Sequence, residues 1–181
     1  PPRATADILF EPPLPPQQEQ VMGSTFTWMA TTLKFAAVYD KPFWTEGGLS
    51  GFGQGLNNSN VVEVTWDASD GEVYAIGGFG RPSSGKTFEE TNSDIVADLV
   101  SIFGEVAALP TDVDFIDWST RDSDRNKENL HMSYGHELLR TPHGRVIFAG
   151  TESEDEHGHM EGAMVAAKRA AEEVMLKVVN T

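Results

Sequence analysis

The chain has 181 residues, 39% of them apolar and 23% charged, enough for a domain with a real core. Its 28 acidic residues against 13 basic ones give a formal net charge of -15, which argues against nucleic acid and against an anionic membrane surface, because both need a basic patch. There is no cysteine, so disulfides, a thiolate nucleophile, cysteine-ligated zinc and cysteinyl cofactor attachment are excluded. No apolar run approaches the roughly 20 residues of a membrane span and no signal peptide is visible, so a soluble, cytoplasmic protein is expected. Pro1 stands where an initiator Met would, which reads as a processed, trimmed or partial chain.

In chain order, residues 1–6 read as a linker and residues 7–10 as a short strand, closed by the proline-rich residues 11–16. Residues 15–22 allow one or two helical turns before Gly23-Ser24. Residues 25–39 form the longest β-like run, rich in Thr, Trp, Phe, Val and Tyr. Lys34 lies inside it between Leu33 and Phe35. A strand lysine ordinarily points to solvent; one that pointed inward would need a partner and would be functional. Gly53-Gln54-Gly55 begins like a dinucleotide fingerprint but has no third glycine in register and no helix after it, so it reads as hairpin punctuation. Residues 61–66 and 72–79 form a hairpin around the turn at 67–71. Residues 87–109 carry Ile95, Val96, Leu99, Val100, Ile102 and Phe103 at helical spacing, and Pro110 ends the helix. Residues 113–118 read as a strand, 121–128 as a charged loop, and 130–139 as ambiguous.

Near the C-terminus, Val146, Ile147 and Phe148 read as a buried strand ended by Gly150. From Ala163 the run AMVAAKRAAEEVMLKVV reads as a long helix. A glycine turn beside a helix N-terminus can cradle an anionic cofactor, since the first helical amides lack internal partners. The element order is not a repeated βαβ. It predicts an α+β fold, a mixed, mainly antiparallel sheet with flanking helices over residues 1–140, followed by a strand–turn–helix unit over 141–181.

Two local motifs have competing readings. Gly80-Arg81-Pro82-Ser83-Ser84-Gly85-Lys86-Thr87 matches the phosphate-loop pattern, with Lys86 for phosphates and Thr87 for Mg²⁺. Pro82 removes an amide donor from such a loop, the parallel crossovers of that fold are missing, and Asp117 is a weak candidate for its metal-binding Asp. The alternative is a surface turn in which Thr87 caps the following helix. His157-Gly158-His159 beside Glu152, Glu154, Asp155 and Glu156 offers donors for Zn²⁺ or Ni²⁺, but nothing fixes their geometry, and no metal site is expected.

The stretch Gly144-Arg145-Val146-Ile147-Phe148-Ala149-Gly150-Thr151-Glu152, then Met160-Glu161-Gly162-Ala163 and a helix containing Lys168-Arg169-Ala170-Ala171-Glu172-Glu173-Val174, closely resembles the C-terminal flavin-contacting segment of the FAD-dependent monoamine oxidase family. Thr32-Leu33-Lys34-Phe35, Val38-Tyr39 and Pro42-Phe43-Trp44 are similar to the family strand that carries its active-site lysine. Asp117-Trp118 is similar to the family's tryptophan before a flavin-facing loop. The resemblance covers nearly the whole chain. It implies oxidation of a primary or secondary amine by hydride transfer to FAD N5, with reoxidation by O₂. It implies catalytic positions at Lys34 (holding a water near N5), Trp118 and His159, and cofactor contacts at Gly150, Thr151, Glu152, Met160 and Gly162. It implies a small-molecule amine substrate and, as partner, an N-terminal FAD-binding segment or chain, because the G-x-G-x-x-G half is not in this sequence.

The sequence departs from the family pattern in three places. His159 stands where many members have an aromatic residue. Residues 121–128 lack the Gly-Ser/Cys-Tyr element. Without cysteine, any FAD is held non-covalently. An inactive oxidase-like binding module is the alternative to an enzyme.

Overall fold

A computed structural model describes residues 1–27, 29–55, 59–81, 84–120, 133–155 and 159–179. The elements run α1 (Pro2–Ala6), α2 (Pro16–Ser24), β1 (Leu33–Tyr39), α3 (Phe43–Glu46), β2 (Gly53–Gln54), β3 (Val62–Asp67), β4 (Tyr74–Gly80), α4 (Phe88–Phe103), β5 (Asp112–Asp117) and α5 (Met160–Val179). Short 3-10 turns lie at Glu105–Ala107, Trp118–Thr120, Glu137–Leu139 and Thr151–Ser153. The chain forms two compact units, residues 29–125 and residues 1–28 with 126–181.

Residues 29–125 build one antiparallel sheet in the order β2-β3-β4-β1-β5. Period-two alternation sends Leu33, Phe35, Ala37 and Tyr39 of β1 into the core, where they join Trp44, Ile76, Ile95 and Leu99. The Phe35 ring lies across β4: a β-carbon at Gly78 would sit 2.3 Å from it, so this position excludes any side chain. Helix α4 begins with a capping box. Thr87 Oγ1 accepts the Glu90 amide at 3.2 Å, and the Glu90 carboxylate accepts the Thr87 amide at 2.8 Å. It ends at Gly104, whose φ of 84° breaks the helix short of residue 109.

Asp98, only 3% exposed, ties α4 to the start of β3. Its carboxylate accepts the backbone amides of Asn60 (2.9 Å), Val61 (2.7 Å) and Val62 (2.9 Å). The sheet edge at β3 is thereby fixed to the helix by hydrogen bonds to a charged group, the stronger kind.

In the other unit, Leu14, Met22 and Leu139 are buried with Phe10, Val21 and Phe148 packed against them. The buried Gln18 donates to the carbonyls of Leu138 (3.1 Å) and Thr141 (2.7 Å), joining α2 to the Glu137–Leu139 turn across more than 100 residues of sequence. The Tyr134 hydroxyl donates to the Phe26 carbonyl at 2.6 Å.

Four local expectations change. Residues 2–6 are helical, started by a proline at its first position, where the missing N–H costs nothing. Residues 7–10 form no strand. Residues 29–32 turn instead of extending: Met29 has a φ of 63° and its carbonyl accepts the Thr32 amide, so the strand begins only at Leu33; Trp28 lies outside the described residues. Residues 146–148 form no strand; Val146 makes a single bridge to His143 and is 41% exposed. A ladder needs a neighbouring strand, and among the described residues none lies beside this segment.

Two measurements test this packing. Asp98→Ala would leave three amides without an acceptor and should cost about 3 kcal/mol or more in urea unfolding. Burial pushes the Tyr39 phenol up to about 12 from its ordinary 10.0. The folded state thus holds this proton more tightly than the unfolded one. That stabilisation is whole below pH 10, falls by roughly 2 kcal/mol as the pH rises toward 12, and should be missing from the alkaline titration of Tyr39→Phe stability.

Candidate functional site

Because Leu33 and Phe35 are buried on the α4 side of the sheet, Lys34 between them must project from the opposite face. It is exposed there, with its ammonium 5.9 Å from the centroid of the Phe79 ring, within reach of a cation–π contact. Phe79 is its register partner on β4 and Ile116 its partner on β5. The Phe79 ring meets the Trp66 indole edge-on, 4.8 Å between centroids. Trp118 follows β5 directly; its amide donates to the Thr32 carbonyl at 3.2 Å, and its side chain is 43% exposed. The structure therefore places Lys34 and Trp118 on neighbouring strand ends of one sheet. Phe79 and Trp66 were not singled out from the sequence. Their signal was the hairpin's alternation, which specifies a face only once the strand register is known.

The second group lies in residues 1–28 and 126–181. Gly150 opens a 3-10 turn in which Ser153 donates to the Gly150 carbonyl through both its amide (3.0 Å) and its hydroxyl (2.7 Å). The Gly135 amide donates to the Glu152 carbonyl at 2.9 Å. The Thr151 hydroxyl donates to the His159 carbonyl at 3.1 Å, so the turn is tied to the start of α5. Gly162 and Ala166, one helical turn apart, are buried, and their small size lets the helix come close to the turn. Gly150, Thr151, Glu152, His159, Met160 and Gly162 are thus brought into one region. Met160 leads the helix with its side chain 81% exposed.

Arg169 of α5 holds this arrangement. Its guanidinium donates to Glu154 Oε1 (2.9 Å), Glu173 Oε1 (3.0 Å), the Phe148 carbonyl (3.0 Å) and the Ser153 hydroxyl (3.2 Å). Burial alone would lower the pKa of Arg169, but the bonds to Glu154 and Glu173 outweigh it and the pKa is raised. Arg140 lies 3.6 Å from the other oxygen of the buried Glu154. In the sequence, Arg169 stands out only inside a helical motif and Glu154 only as a candidate metal donor. Here Glu154 is committed to two arginines. Among the described residues no group of three or more His, Asp or Glu could hold a metal; Glu156 and His157 lie outside them.

Beside the turn is an open cleft of about 130 Å³ whose lining includes Pro2, Thr5, Phe148, Gly150, Glu152 and Ser153. Pockets that enclose a drug-sized ligand run from roughly 300 Å³ upward, so this cleft offers an edge to a dinucleotide and not an enclosure. The residues that match the phosphate-loop pattern are otherwise engaged. Thr87 caps α4, and the Lys86 ammonium pairs with Asp94; Pro82 and Ser83 lie outside the described residues. None of the helices among the described residues is long and apolar enough to cross a membrane.

Comparison with known proteins agrees with this fold. The profile of the family described as flavin containing amine oxidoreductase matches residues 1–175. A flavin-containing amine oxidase of Oncorhynchus mykiss is 31% identical over 98% of the chain, and an L-amino acid dehydrogenase of Synechocystis is 29% identical over 97% of it. The structure of cyclohexylamine oxidase from Brevibacterium oxydans superposes with a TM-score of 0.78 at 26% identity over 98% of the chain. The chain spans 36%, 39% and 41% of the lengths of these three proteins. With a family match over nearly its whole length and a mixed helix and antiparallel-sheet architecture shared with amine oxidases, the chain belongs to the flavin-containing amine oxidoreductase family.

Proposed function

We propose that this chain is the substrate-binding region and C-terminal flavin edge of a flavin-dependent oxidase of primary or secondary amines, working with an N-terminal segment that carries the dinucleotide fingerprint. The observation that carries this reading is Lys34, projecting from the start of β1 onto a face furnished with Phe79, Trp66 and Ile116. FAD, bound without a covalent link, would accept a hydride equivalent from the amine α-carbon and pass the electrons to O₂. Lys34, with three donors and no acceptor, holds a water at the reacting face. Trp118 supplies an aromatic wall. His159, the polar residue at the aromatic position, borders the amine.

The residues of the turn fit a flavin chain in a specific way. The Glu152 carboxylate is acceptor-only, so it suits a hydroxyl of the cofactor's sugar-like chain and not a phosphate. Gly150 leaves room beside that carboxylate, since a β-carbon there would stand 3.2 Å from Glu152 Oε2. The N-terminus of the 20-residue α5, at Met160, favours negative charge where the flavin ring becomes electron-rich. The apolar Met160, Met164, Val165, Met175 and Leu176 of α5 are exposed in this chain, which supports their being covered by the FAD-binding segment.

The test is the visible spectrum of the complete protein. Flavin absorption bands that bleach anaerobically on adding an amine are expected; a colourless protein to which added FAD does not bind would sink the reading and leave an inactive binding module. Lys34→Met should retain the flavin and slow its reduction about a hundredfold. Arg169→Met, which frees the turn from α5, should weaken FAD binding about tenfold or more as read by flavin fluorescence, with a smaller effect on the reduction rate of the loaded fraction.

A further inference from the structure

Two short segments, the approach to β1 and the exit from β5, are shaped by local bonds that meet at Thr32. In the first, Met29 has a φ of 63°, and among the described residues it is the one non-glycine residue in the left-handed region. Its carbonyl accepts the Thr32 amide at 3.1 Å, and its sulfur accepts the Thr32 hydroxyl at 3.6 Å. The turn is thus closed through both the backbone and the side chain of Thr32. In the second, the Thr32 carbonyl accepts the Trp118 amide at 3.2 Å, so the β1–β5 ladder runs one pair past Leu33 and Asp117. Asp117 then shapes the turn Trp118–Thr120. Its Oδ1 accepts the Ser119 amide at 2.8 Å, and its carbonyl accepts the Thr120 hydroxyl at 2.9 Å. The carboxylate that a phosphate loop would need for its metal is engaged locally, as an Asx-type cap.

Core packing does not account for the strained residue. Met29 is half-buried and lies outside both clusters of buried apolar side chains. A backbone in a sparsely populated region persists where its surroundings hold it, and such residues gather at functional sites. The site here is adjacent. Lys34 stands two residues beyond Thr32 on β1, and Trp118 is bonded to Thr32 across the ladder. One backbone position therefore sets the ammonium group and the indole relative to each other. A shift of about 1 Å in such groups is enough to cost a large part of a reaction rate.

We infer that Met29 and Asp117 are positioning residues. The left-handed turn at Met29 sets where the lysine strand begins, the Asp117 cap sets the turn that carries Trp118, and Thr32 joins the two. Lys34 and Trp118 are thereby held in one fixed relation at the reacting face. This inference rests on the amine oxidase reading above. Met29 acts through its backbone conformation and Asp117 through an acceptor oxygen, so glycine and asparagine can replace them, and isoleucine and alanine cannot.

The experiment follows anaerobic flavin reduction of the complete, FAD-loaded protein, using whichever of benzylamine, cyclohexylamine and 1,4-diaminobutane reduces the wild type fastest. Met29→Ile and Asp117→Ala should each slow the limiting reduction rate about tenfold and leave the amine Kd within about twofold. Met29→Gly and Asp117→Asn should keep the rate within about twofold of wild type. In a Lys34→Met background, Met29→Ile should cause no further slowing, because its effect passes through that lysine. Thermal melts and FAD content identify the folded, loaded fraction, and Asp117→Ala with its asparagine partner carries the test should Met29→Ile melt early. A wild type that none of the three amines reduces would count against the oxidase reading itself. Wild-type rates in both Met29→Ile and Asp117→Ala would overturn the positioning role alone. So would glycine or asparagine variants as slow as their partners, losses confined to Kd or FAD content, or full additivity with Lys34→Met.

Discussion

The period-two alternation of β1 constrains both faces of the sheet. Leu33, Phe35, Ala37 and Tyr39 are buried together against α4 and its neighbours, and a slip of one residue would expose all four and bury Lys34. The burial of these four side chains, three of them large, therefore fixes the direction of one lysine. The same constraint propagates sideways through register: Phe79 and Ile116 face the same way as Lys34 because they are its ladder partners on the two flanking strands. The core on one side of the sheet thus determines the chemistry available on the other. Asp98 extends this control to β3 by clamping its entry to α4.

This logic also explains what could be read from the sequence. The hairpin at 61–79 and the start of the helix expected over 87–109 are specified by local pattern and turn residues, and both are present, although the helix ends at Phe103. The lysine strand was legible as a strand, but its start was not, because a positive-φ turn at Met29 is invisible in a run of β-formers. Residues 146–148 illustrate the opposite limit. Their composition is that of a strand, yet strand formation belongs to a pair of segments and not to one. The phosphate-loop pattern shows the same dependence on partners. Its Lys86 and Thr87 are claimed by Asp94 and Glu90 in the first turns of α4, partners that the motif does not include.

Arg169 was the least legible residue of the candidate site. Helical periodicity locates it on α5 but does not reveal that Glu154, 15 residues earlier, will be buried against it. A buried carboxylate is tolerable only when paired and hydrogen-bonded, and here the pairing orders the backbone as well, through the Phe148 carbonyl and the Ser153 hydroxyl. The turn at Gly150–Glu152 acquires a defined shape from a side chain that does not touch its open edge. Small residues at Gly162 and Ala166 complete the arrangement by removing the bulk that would hold the helix away.

β5 lies at one margin of the sheet, beyond β1, and no further strand pairs with it among the described residues. Such a margin is a template on which another chain can add a strand, the first step toward fibrous aggregation. Asp112, Asp114 and Asp117 recur at or near every second position along it. Two copies approaching margin to margin would bring these carboxylates together, within a molecule already carrying a net charge of -15. The aspartates therefore act as gatekeepers against self-templating, and their protection weakens as ionic strength shortens the range of the repulsion.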